Sequence, residues 1–162
     1  MRMSFMSKRS LVIVFGGLMA LGLWGCSGDE KPSSTDPSKF SSIYTNILRF
    51  HNCHSCHSPG GSAYDTDGVQ LDFSTQALAH STLTTKNVTG ATSVGTCGSV
   101  KIVNTTPQTS FLAGVLFSTY HISNFAGVSG CTPYSVHLSD QNLSSSEETA
   151  IVDWINAGAQ NN

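Results

Sequence analysis

Apolar residues fall along this chain in two spacings, and the polar stretches between them mark its divisions. From Leu11 to Trp24, LVIVFGGLMALGLW, they form one nearly continuous block. The block is shorter than the roughly 20 residues that a membrane-crossing helix needs. From Ser27 to Ser38 no large apolar residue occurs apart from proline, so that stretch has nothing to bury and reads as a flexible tether. Beyond it the apolar positions recur at three- and four-residue steps. Phe40, Ile43, Tyr44, Ile47, Leu48 and Phe50 are expected on one face of a first helix. SPGG and DTDG then mark turns, and Val69 to Phe73 is a short apolar piece ending at Ser74, the expected N-cap of a second helix through Ala77, Leu78 and Leu83. Thr84 to Pro107, rich in Thr, Ser, Gly and Asn, reads as loop with a brief extended piece at Val100 to Val103. Phe111, Leu112, Val115 and Leu116 carry a third helical pattern. The last helix is the clearest: Ser144 and Glu147 have capping-box spacing, Ile151, Trp154 and Ile155 form a stripe, and Gly158 can close the helix.

The 162 residues suffice for one domain with a real core. Helices are expected to bracket a loop-rich middle, with no internal repeat and no alternation of strands with helices that would support a doubly wound sheet. Arg2, Lys8 and Arg9 precede the first apolar block, the layout of an export signal. The end of the block, Leu23-Trp24-Gly25-Cys26, resembles the lipobox of bacterial lipoproteins. That resemblance implies a signal peptide over 1–25, lipid on Cys26, a tether over 26–38 and a folded domain over 39–162. Ser27 after the cysteine favours the outer membrane by the same likeness. Of the 8 basic residues three lie in that leader, which leaves 5 against 10 acidic ones and a mature charge near −5. No basic stripe remains to neutralise phosphates, so a nucleic-acid partner is excluded.

The densest chemistry is His51-Asn52-Cys53-His54-Ser55-Cys56-His57. Cys53 to His57 fits C-x-x-C-H, the attachment pattern for c-type haem. Thiols one helical turn apart can add to the two porphyrin vinyl groups, and the adjacent imidazole reaches the iron. Zinc and a redox dithiol are the competing readings. Zinc wants four ligands, usually in two pairs, whereas the other mature cysteines besides Cys26, Cys97 and Cys131, stand alone. A dithiol of the thioredoxin type wants a strand before the motif, and none is expected. In an exported protein Cys97 and Cys131 are better read as a disulfide, contributing roughly 3–4 kcal/mol by loop closure.

The order of this motif, Gly60-Gly61, Leu71-Asp72-Phe73-Ser74, Pro107 to Leu112, Gly130-Cys131 and a terminal Ile151-Val152-Asp153-Trp154-Ile155-Asn156-Ala157-Gly158-Ala159 resembles the small monohaem c-type cytochrome domains of exported bacterial proteins. The resemblance spans residues 40 to 162. It implies an all-α cytochrome c-like fold with N- and C-terminal helices packed beside one covalent haem c. Cys53 and Cys56 would hold the haem and His57 its iron, in an electron carrier and not an enzyme, working with redox proteins of the cell envelope.

Many members of that family take a sixth iron ligand from a methionine, but Met1, Met3, Met6 and Met19 all lie in the leader. The corresponding region, Gly130 to Leu138, offers His137, which would give bis-histidine iron of lower potential than His/Met ligation. His121 is the second choice and His80 a third. His51 and His54 are expected at the surface or haem edge. An open sixth position would make the protein a small-ligand binder or peroxidase-like enzyme, and a haem-free exported domain with only disulfides is the remaining alternative.

Overall fold

The computed structural model describes residues 36–65, 69–88, 97–121, 130–135, 137–138 and 142–162. The expected signal peptide, Cys26 and the tether up to Thr35 lie outside the described residues, as does the middle of the expected loop.

The first helical segment begins as α1 (Phe40–Ile43) and continues without a break as a π-helix (Tyr44–Arg49). Ile43, Ile47 and Leu48 stay buried along it, but Phe50 is 73% exposed, contrary to the shared face expected from its spacing. The reason is the winding: a π-turn takes more residues than the 3.6 of an α-turn, so the stripe drifts and leaves Phe50 outside. After α2 (Cys53–Cys56), α3 (Gln76–Thr85) starts one residue later than expected. Its N-cap is Thr75, whose hydroxyl accepts from the Leu78 N–H, while the Ser74 N–H donates to the Asp72 carboxylate at 2.9 Å in the turn before it.

The expected extended piece is confined to an isolated antiparallel bridge between Asn87 and Lys101, and no longer strand occurs among the described residues. Its carbonyls have a further use. Lys101 and Ile102 accept from the N–H groups of Phe111 and Leu112, the first amides of α4 (Phe111–Leu116), which has no side-chain cap. Cys97 and Cys131 form a fully buried disulfide, as the sequence led us to expect.

The last helix, α5 (Ser145–Asn156), is capped at both ends. Ser144 and Glu147 complete the capping box. Gly158, at φ +87°, donates to the Ile155 carbonyl, and the Ala159 N–H to that of Trp154, the two bonds of a Schellman motif. Trp154 packs on Phe40 with ring centres 4.9 Å apart and donates its indole N–H to the Gln160 carbonyl at 2.9 Å. Asn162 closes the pair, since its side-chain oxygen accepts from the Phe40 N–H and its main-chain carbonyl from that of Ser41, both at 2.9 Å. The described residues are thus helical or irregular, an all-α arrangement with the first and last helices in contact. Among them no helix is long and apolar enough to cross a membrane.

Candidate functional site

The cysteine segment follows directly from the end of the π-helix. Asn52 adopts φ 58°, a left-handed conformation that asparagine tolerates better than most residues, and so ends the first helix. Its carbonyl then accepts from the N–H and the hydroxyl of Ser55, which winds the short α2. One turn separates Cys53 from Cys56, and both thiols are free. Their surroundings differ. Cys53 is half-buried against the core, and burial pushes its thiol up to about 11. Cys56 is exposed, and hydrogen bonds from the hydroxyls of Ser62 and then Ser55 hold its thiol below the usual range.

His57 is fixed through its own backbone. Its N–H donates to the Cys53 carbonyl at 2.9 Å, and its carbonyl accepts from the Phe73 N–H at 2.6 Å. Phe73 is in turn held by Tyr44, whose hydroxyl reaches the carbonyls of Phe73 and Ser74 at 3.2 and 3.1 Å. The Phe73 ring walls one side of the imidazole at a centre separation of 5.3 Å. On another side lies His137, its ring centre 6.0 Å away and its plane turned by 66°. Burial, followed by the repulsion of a second positive charge on His137, drives the His57 imidazole down to about 4. His57 is therefore neutral at pH 7, the form that ligates a metal. The Ala63 backbone favours the protonated ring, yet no hydrogen bond of good geometry reaches the buried Nδ1.

The remaining histidines are distributed elsewhere. His80 belongs to the helix pair: it donates from Nε2 to the Ala159 carbonyl at 2.7 Å and packs edge-on against Phe40. His121 sits beyond α4 with Nδ1 on the Gly114 carbonyl at 2.9 Å. His54 has a buried Nδ1 with no hydrogen-bond partner among the described residues, as does the Ser58 hydroxyl. His51, left without a partner by the sequence reading, joins Nε2 to the Glu147 carboxylate at 3.2 Å. Burial opposes the charge on Glu147, but hydrogen bonds from the Ser144 N–H and hydroxyl, and then from His51, outweigh it and hold the carboxyl low. No sequence signal links His51 to a residue 96 positions away.

Of the candidate residues, the structure brings the His57 and His137 rings together next to the cysteine segment and leaves His80 in the helix pair. Among the described residues, no three His, Cys, Asp or Glu side chains converge as a metal-ion cluster by themselves. No protein-family model, curated protein or solved structure matches this chain.

Proposed function

We propose that residues 39–162 form a cytochrome c-like domain carrying one covalent haem c, and that the protein transfers electrons at the envelope of a bacterial cell. The observation that carries this reading is the close approach of the His57 and His137 rings, 6.0 Å between centres, beside two free thiols one helical turn apart. The donor set fits this group, since two thiols could saturate the two vinyl groups and two imidazoles could ligate the iron.

Cys53 and Cys56 would hold the haem as thioethers, His57 would be the proximal ligand and His137 the distal one. When bound, haem supplies a one-electron ferric/ferrous couple. The chain supplies the rest. Phe73 limits rotation of the His57 ring and helps keep water from it, and Tyr44 holds Phe73 in place. The neutral form of His57 at pH 7 leaves a nitrogen lone pair for the metal. Lipid on Cys26, with the tether over 26–38, would hold the domain at a membrane, and its partners would be redox proteins of the envelope.

The test is an optical and magnetic spectrum of protein purified from a host that attaches haem. Low-spin iron in both oxidation states, turning high-spin in His137→Ala, is the expected result. High-spin ferrous iron in the unaltered protein would instead favour an open sixth position and a small-ligand-binding role.

A further inference from the structure

Resting on the reading of His57 as an iron ligand, we propose that Gly61 is a positioning residue for that histidine, setting the peptide group from which its imidazole hangs. Gly60 and Gly61 are adjacent, yet they are glycines for different reasons. Gly60 has φ +87° and open space around it: a Cβ there would meet nothing within 4 Å. Gly61 is not among the residues of positive φ, so its backbone suits any amino acid. What it lacks is room. A Cβ on Gly61 would run into the Cys56 carbonyl oxygen, and would lie 2.6 Å from the Ser55 carbonyl oxygen and 2.7 Å from the Cys56 carbonyl carbon.

The obstructing atoms are backbone, which cannot swing aside as a side-chain end can. The Cys56 carbonyl belongs to the peptide plane whose nitrogen is that of His57, so any displacement there is passed directly to His57. The loop is also fastened to that plane, since the Ala63 N–H donates to the Cys56 carbonyl at 3.1 Å, and it is closed on itself by the Gly61 N–H on the Ser58 carbonyl at 2.7 Å. From beyond, the Phe73 N–H grips the His57 carbonyl. His57 is therefore held between two peptide contacts, and the absent side chain of Gly61 lets the nearer one close. Outer groups that fix the orientation of a ligating histidine tune the metal it binds.

The experiment compares Gly61→Ala with Gly60→Ala, which carries left-handed strain in the same loop without the collision. Two readouts are taken on the protein as purified: the NMR signals of the His57 imidazole, assigned with His57→Gln, and the ferric electron paramagnetic resonance g-values with the reduction potential. The expected result is that Gly61→Ala keeps covalent haem but shifts the imidazole signals, the g-values and the potential, whereas Gly60→Ala leaves all three in place. Equal shifts in the two variants, or none in Gly61→Ala, would overturn the proposal. Should Gly61→Ala not accumulate, Ala63→Pro decides, because it removes the other contact on the same peptide: shifted His57 signals uphold the proposal and unchanged ones overturn it. Absence of haem from the unaltered protein would overturn the proposed function, while the imidazole signals still judge the role of Gly61.

Discussion

The helix pair formed by α1 and α5 and the cysteine segment that follows the first of them are separated by only a few residues, yet they are built on opposite terms. In the helix pair, polar groups at the ends are met from within the chain: Asn162 caps α1, the capping box and Schellman motif close α5, and His80 and the Trp154 indole each find a carbonyl. In the cysteine segment, α2 has four residues, Phe50 stands in solvent, and buried nitrogens of His54 and His57 have no hydrogen-bond partner among the described residues. Buried polar atoms are costly unless satisfied, so stability is concentrated in the first region and ligand chemistry in the second.

Substitutions can break that contrast. Trp154→Ala removes the largest fully buried side chain among the described residues and is expected to destabilise the domain by about 3–5 kcal/mol in denaturant unfolding. A loss under about 1 kcal/mol would mean that the helix pair is not where stability resides. Replacing Cys97 and Cys131 together by serine opens a loop with a sequence separation of 34 and is expected to cost roughly 3–4 kcal/mol.

The capping box supplies a smaller and pH-dependent effect. Ser144→Ala is expected to cost about 1 kcal/mol. The Glu147 carboxyl titrates lower in the folded chain than its ordinary 4.5, so the folded state binds fewer protons than the unfolded one as the pH falls. Its contribution is full above the unfolded value and fades as pH drops through the lower, folded one. Glu147→Gln should therefore flatten the acid limb of the stability profile below about pH 5 and lose most stability at neutral pH. An acid limb as steep as that of the unaltered protein would refute this assignment. At the small end, Phe50→Ser should change stability by less than about 0.5 kcal/mol, because the ring is 73% exposed. A loss above 1 kcal/mol would show that the cysteine segment shares the core after all.

What was legible in the sequence follows the reach of each interaction. The cap, stripe and closing glycine of α5 lie within 15 residues, and the helix forms where that pattern indicates. The first helix was legible as a helix but not in its winding, since steps of three and four indicate α-turns and nothing in the run announces the wider π-turn. The second helix is capped by Thr75 instead of Ser74, two adjacent hydroxyl residues between which local composition does not choose. Elimination found the Cys97–Cys131 pair, there being no other mature cysteines suited to it. The His51–Glu147 contact depends on tertiary packing and left no local mark, whereas SPGG marked a turn without showing how closely Gly61 approaches α2. The nearness of His137 to His57 had only the family resemblance behind it.

We propose that Cys53 and Cys56 hold a haem. This is tested most directly by mass analysis of the peptide spanning residues 53–57, from protein made in a host with haem-attachment machinery. The expected result is one haem added to that peptide through both thiols and resistant to acidic acetone, with one attachment lost in each of Cys53→Ala and Cys56→Ala. Recovery of the peptide with two unmodified thiols, under conditions where a known c-type cytochrome is loaded, would contradict the account.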